Sequence, residues 1–192
     1  MRNSFFIITL FTVFLFNCKR GNVYEKEIAL LDSTKIVLQV KLNELKKAEV
    51  NILNLQYPKF ETYNAFLKSN VKDTIGRTEG NALQAFINSG NTIKEFNKTK
   101  TELIKQTETG ILQIQKLSAD LKENNVQQNV TQSYYKSEKG HADELIKTIE
   151  QNMKALNLGL NSYRNSISKT EEYIKHINNG QLPVVVADST LE

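Results

Sequence analysis

The sequence predicts an all-α protein, an elongated antiparallel bundle of three or four long helices with coiled-coil-like packing. Three observations carry that expectation. From Ala142 through Ile146, Ile149, Met153, Leu156, Leu160, Tyr163, Ile167, Thr170, Ile174 and Ile177 the spacing alternates strictly between four and three, and every member but Thr170 is apolar. This is the heptad signature of a coiled-coil seam. Only two Pro occur in 192 residues, so little stands in the way of long helices. The segment bearing the seam, 131–178, holds 48 residues and would be about 72 Å long as a helix, too long for a compact globule of this size.

The chain begins with one basic side chain in Met1-Arg2-Asn3-Ser4, followed by the apolar run Phe5 to Phe16, FFIITLFTVFLF. Twelve residues fall short of the roughly 20 that cross a bilayer. A basic start and a short apolar run are instead the layout of a secretory signal peptide. The run ends in Leu15-Phe16-Asn17-Cys18, which resembles the lipobox of bacterial lipoproteins, with Leu three residues before Cys. It departs from the strict pattern at Phe16 and Asn17, where small residues are usual. The resemblance implies removal of residues 1–17, diacylglycerol on the Cys18 sulfur and acylation of the new amino group. Acyl chains contribute about 0.8 kcal/mol per buried methylene, and two or three of them hold a protein stably on a membrane. Cys18 is the only Cys, so no intrachain disulfide is available. Residues 18–22 make a short tether, in which Lys19 and Arg20 suit anionic headgroups or simply keep the linker soluble.

Loss of 17 of the 192 residues leaves 175, and loss of Arg2 leaves 24 basic against 21 acidic side chains, a balance of +3. The whole-chain pI near 9.0 thereby loses its force as a nucleic-acid signal. Arg, which reads phosphates and base edges with two parallel donors, occurs only at Arg2, Arg20, Arg77 and Arg164, so no nucleic-acid partner is expected.

Residues 23–178 should form the bundle. Tyr24, Ile28, Leu31, Leu38, Leu42, Leu45, Ile52 and Leu55 lie on one helical face, and Pro58 should end that helix. A less regular segment follows over 60–88, weakened by Gly76 and Gly80. Ser89-Gly90-Asn91 has turn composition, and Thr92-Ile93-Lys94-Glu95 is a capping-box pattern that should restart the helix. The next seam runs through Ile93, Phe96, Lys100, Leu103, Thr107, Gly110, Ile114, Leu117 and Leu121, with Lys100, Thr107 and Gly110 as its poor members. Asn124 to Asn129 breaks it, and Asn178-Asn179-Gly180 ends the last helix. The tail 179–192 has β character over Gln181 to Ala187, where Pro183 bars a central strand, and is a flap on the bundle, a strand offered to a partner or a loose terminus.

Candidates for chemistry are few. Glu138 and His141 stand three apart, the spacing used in ferritin-like metal bundles, but the second such pair that fold requires is missing; the other His lies in Glu172-Tyr173-Ile174-Lys175-His176. A solvated helix face is the plainer account. No phosphate loop or nucleophile elbow is present, and neither catalysis nor a cofactor or metal is expected. Lys100 at a seam position either sets register or snorkels to water. Of Tyr134-Tyr135, one ring should pack and the other stay exposed. Asp32-Ser33-Thr34, Asp73-Thr74-Ile75 and Asp188-Ser189-Thr190 resemble a short bacterial O-glycosylation motif.

The function expected is that of a lipid-anchored envelope protein, held through Cys18 on a membrane, the outer membrane foremost, and facing periplasm or cell surface. It would act as a non-catalytic scaffold, adaptor or interaction protein with a protein partner, and its seams are compatible with a homo-oligomer. The alternatives are a ferritin-like metal-binding bundle using Glu138 and His141, and a small-ligand or lipid carrier with a cavity beside Lys100, Thr107 and Gly110.

Overall fold

The computed structural model describes residues 23–53, 57–71, 75–123 and 128–185. The signal segment 1–17, Cys18 and the tether to residue 22 lie outside the described residues. Four helices account for nearly all that is described: α1 (Glu25–Leu53), α2 (Tyr57–Asn70), α3 (Arg77–Lys122) and α4 (Gln128–Ile177). There is no strand among the described residues. At 46 and 50 residues, α3 and α4 make an antiparallel hairpin about 70–75 Å long.

The pairings show how α1 and α2 complete the bundle. Along α1, Asp32 meets Ser118 and Lys122 of α3, and Lys46 meets Glu108. Along α2, Glu61 meets Lys94, and Phe60 lies on Gly90. Against α4 the pairs are Tyr24 with Thr131, Lys41 with Glu150 and Tyr63 with Glu171. These three pairs span 107, 109 and 108 residues of sequence, so α2 stands against α4 at the height that an uninterrupted α1 would reach, and it continues the layer of α1. Four helices thus build a three-stranded up-down-up bundle, in agreement with the expected all-α architecture.

The described members of the expected seams form the core. Tyr24, just before α1, and Ile28, Leu31, Leu38 and Leu45 on it are buried and Leu42 is half-buried, while the side chains of Ile52 and Leu55 lie outside the described residues; on α3 every seam member from Ile93 to Leu121 is buried except Gly110, which is partly so. One apolar cluster gathers Tyr24, Ile28, Leu31, Leu38, Ile114, Leu117, Leu121 and Ala142 at the end where the chain enters. A larger one runs from Leu45 to the opposite end, around Phe60, Phe86, Leu156 and Tyr163. Leu145 packs against both.

The first helix ends before Pro58, as expected, and Pro58 itself sits in the first turn of α2, where its missing N–H breaks no helical bond. Two local expectations need correction. The segment expected over 60–88 is divided between α2, which ends at Asn70, and α3, which starts at Arg77. Gly76 holds the N-cap position there, and the Glu79 side chain folds back over it, setting a carboxylate against the positive end of the helix. Finally, Ser89-Gly90-Asn91 is no turn. α3 runs straight through it, and Ser89 and Gly90 are buried. A Cβ on Gly90 would fall 1.8 Å from Cε2 of Phe60, so the missing side chain makes room for a ring from α2 and signals packing. Ser89 satisfies its hydroxyl by donating to the Phe86 carbonyl at 2.8 Å.

α4 ends as expected. Asn179 and Gly180 adopt φ of 49° and 82°, and the Gly180 N–H donates to the Lys175 carbonyl at 2.8 Å, closing the helix in the left-handed manner that Gly favours. Residues 181–185 form no strand; Leu182 packs on the core while Val184 is exposed.

Candidate functional site

Cys18, the one residue to which the sequence gives a chemical role, lies outside the described residues, as do Asp73-Thr74 and Asp188-Ser189-Thr190. The third glycosylation-like motif is built into the bundle. Its Asp32 carboxylate accepts from Lys122 and Ser118, which hold it below the usual aspartate range. Its Ser33 and Thr34 hydroxyls donate to the carbonyls of Ala29 and Leu30, each at 2.8 Å. Thr34 is buried.

The metal-bundle arrangement finds no geometry here. Glu138 is half-buried and His141 is exposed, and no three His, Cys, Asp or Glu side chains gather into a metal-binding group among the described residues. His141 and His176 lie on one continuous helix, 35 residues or about 52 Å apart, so they cannot share a site.

The carrier arrangement is likewise narrow. Lys100 is only 6 % exposed and has interaction partners. Thr107 is fully buried and donates its hydroxyl to the Leu103 carbonyl at 2.6 Å. A Cβ on Gly110 would lie 3.4 Å from Leu145 and 3.8 Å from Leu38, so the seam is closed by ordinary packing. The cleft beside it, between Gln106, Gly110 and Gln113 of α3 and Glu138 and His141 of α4, measures about 60 Å³. That holds a water or two and falls well below the 300 Å³ or more of typical ligand sites.

Larger hollows lie elsewhere, in the groove between α3 and α4. One of about 580 Å³ is lined by Thr78, Asn81, Ala82, Ala85, Ser162, Asn165, Ser166 and Lys169. It continues, through the shared Thr78 and Lys169, into one of about 400 Å³ bounded by Glu79, Glu172, Tyr173 and His176. Nearer the chain entry, about 380 Å³ opens between Gln113, Lys116, Leu117 and Asp120 of α3 and Tyr134 and Glu138 of α4. No lining residue comes from α1 or α2, so these hollows mark the face of the hairpin that α1 and α2 leave open. The middle hollow is walled by small or uncharged residues apart from Lys169, whereas Glu79 and Glu172 charge one end and Lys116, Asp120 and Glu138 the other. Such a surface suits a second protein segment lying along it. Of the two neighbouring tyrosines, Tyr135 packs on the core and Tyr134 is exposed; the latter stands in this groove.

Sequence reasoning about single motifs passes over this face. The signal that points to it is the heptad line flanking each seam, Thr78, Ala85, Thr92, Thr99, Gln106, Gln113 and Asp120 on α3 and Thr148, Ala155, Ser162 and Lys169 on α4, where only Asp120 and Lys169 carry charge.

The covered side of the hairpin carries a polar clamp. Lys59 and Tyr63 of α2 both reach Glu171 of α4, the Tyr63 hydroxyl donating at 3.3 Å, and Lys59 stands 5.5 Å from the Tyr63 ring centre. Burial, with the Glu171 charge in second place, pushes the Tyr63 phenol up to about 12. Tyr163 is pushed up still more strongly by burial, so both phenols stay protonated at neutral pH and neither can serve as a base.

The Tyr163 hydroxyl is buried and has no hydrogen-bond partner among the described residues. An unpaired buried hydroxyl costs on the order of 1–3 kcal/mol, so Tyr163→Phe should raise stability by about 1 kcal/mol in urea unfolding. A loss of stability would show that the hydroxyl is bonded.

No helix among the described residues is long and apolar enough to cross a membrane. α1 nevertheless has an exposed apolar outer face, with Leu30, Ile36, Val37 and Val40 open to solvent. Comparison with protein-family models, curated proteins and solved structures finds no match to the chain.

Proposed function

We propose that the protein is a lipid-anchored component of the bacterial cell envelope, acylated at Cys18, whose helical bundle acts as a non-catalytic scaffold or adaptor for a protein partner. The observation that carries this reading is the position of the sole Cys, at the end of a twelve-residue apolar run and three residues after Leu15. Acyl chains there make the membrane a permanent partner. The outer membrane is the proposed site, with the bundle facing periplasm or cell surface.

The architecture supports a binding role. One rod of three helical layers, α1 and α2 together making one of them, carries contacts from Val23 to a far end tens of ångströms away. Its seams are filled, and the groove between α3 and α4, charged chiefly at its ends, stays open. A partner helix laid into that groove would complete a four-layer bundle, and a second copy of the chain is one source of such a helix.

The anchor has a direct test. Metabolic labelling with palmitate should mark the wild-type chain, and Cys18→Ala should lose both the label and retention in the membrane fraction. Unchanged labelling of the variant would refute acylation at Cys18. For the partner, crosslinking in whole cells from a photoreactive residue at Asn81 or Asn165, in the groove, should capture a protein that the same residue at exposed Lys26 does not.

A further inference from the structure

α1 is apolar on two opposite faces, and only one of them is used by the bundle. The inner line is Leu31, Leu38 and Leu45, all buried. Two residues on, and so on the other side of the helix, runs the line Lys26, Ser33, Val40 and Lys47, all exposed. Beside it stand Leu30 and Val37 on one flank and Ile36 on the other. Ile36 and Val40 are 58 % and 49 % exposed, and Val23 prolongs the stripe toward the chain entry at 76 %.

We propose that this outer face of α1 rests on the lipid surface to which Cys18 is attached, so that the bundle lies along the membrane instead of standing upright on its tether. The inference rests on the anchor proposed above and adds an orientation to it. The length of chain before α1 supplies the first argument. Between Cys18 and Val23 the backbone reaches at most about 18 Å in any conformation. The apolar stripe starts at Val23, so the anchor brings it to the surface at a high effective concentration.

Charge supplies the second argument. The outer line is closed at both ends by Lys26 and Lys47, set to meet anionic headgroups. The nearest carboxylate on that side, Glu44, is held by Lys41 at 3.2 Å. Ser33, in the middle of the stripe, donates a hydrogen bond from its hydroxyl to the Ala29 carbonyl at 2.8 Å, so that the O–H needs no water. Apolar residues in the middle with cations at the margins are the pattern of a helix lying in the headgroup boundary. α3 and α4 occupy the inner side of α1. With α1 down, their open groove faces away from the membrane, where a partner can reach it.

The test uses the acylated full-length chain in vesicles of phosphatidylethanolamine and phosphatidylglycerol in a three-to-one ratio. A nitroxide is attached at Val37→Cys or, as the control on a face away from the lipid, at Leu112→Cys. Acylation blocks the Cys18 thiol, so only the introduced thiol reacts. The label at 37 should collide readily with oxygen and several-fold less with a water-soluble nickel chelate than the label at 112. Equal nickel access at both positions would overturn the orientation and leave the anchor standing. Shielding of the label at 37 from both reagents would also overturn it, in favour of a second copy covering the stripe. A chain that fails to float with the vesicles, or that takes up nitroxide at Cys18, refutes the anchor and the docking with it.

Discussion

Phe86→Ala should cost the protein about 3–5 kcal/mol of stability, the range for removing a fully buried aromatic side chain. Phe86 has no exposed surface and stands where three helices meet. Its ring centre lies 5.4 Å from that of Phe60 on α2, 6.5 Å from Tyr63 on α2 and 5.5 Å from Tyr163 on α4. Each such pair contributes roughly 0.5–1.5 kcal/mol beyond area burial. α2 is only 14 residues long and an isolated helix of that length is marginal in water, so its place depends on these contacts. Urea unfolding followed by far-ultraviolet circular dichroism should show the drop in midpoint. Hydrogen exchange should show α2 losing protection before the α3–α4 hairpin near Leu117. A loss below about 1 kcal/mol is too small for a central core ring and would mean that Phe86 does not join the three helices.

The bundle was legible in the sequence because its seams meet the same kind of neighbour at every heptad. On α4, Ala142, Ile149, Leu156, Tyr163, Thr170 and Ile174 are buried, while Ile146, Met153, Leu160, Ile167 and Ile177 are half-buried. Both classes were marked by spacing alone. The polar members that looked like defects are of another kind. Thr107 and Thr170 turn their hydroxyls onto their own helix, donating to the Leu103 and Ser166 carbonyls at 2.6 and 3.0 Å. Such internal bonds satisfy the polar atom within the helix and leave the methyl for the core.

What was not legible depends on residues distant in sequence. Ser-Gly-Asn composition favours a turn wherever only local preference decides, and nothing near position 90 announces that Phe60, thirty residues earlier, needs the space. That α2 continues the layer of α1 follows from the pairings of both helices with α3 and α4, which no window of one segment reveals. The open groove was missed for a related reason: a face is open by virtue of which helices do not cover it. The sparsely charged flanking positions were visible, but without the arrangement of α1 and α2 they could have been one more buried seam. Cys18 differs from all of these, since its candidate role rests on the residues immediately before it.

Gly90→Ala sets helix propensity against packing, and packing should win. In an open helix interior the substitution stabilises by about 1 kcal/mol, and Gly140→Ala should do so, because Gly140 is exposed on α4 and a Cβ there meets nothing within 4 Å. At Gly90 the new methyl would fall 1.8, 2.0 and 2.3 Å from three carbons of the Phe60 ring. No real contact is that short, and the ring has no free side to move toward, since it is fully buried against Phe86. Overpacking of this kind costs about 1–3 kcal/mol, occasionally more, on top of the lost propensity gain, so a net fall of about 2 kcal/mol is expected in the same urea assay. A smaller side chain opposite the methyl should relieve part of it. Phe60→Leu is destabilising by itself, but combined with Gly90→Ala it should cost less than the two separate losses together, with a coupling of roughly 1 kcal/mol or more. Equal stabilisation by Gly90→Ala and Gly140→Ala would mean that position 90 is open helix and that Phe60 does not lie over α3 at this point.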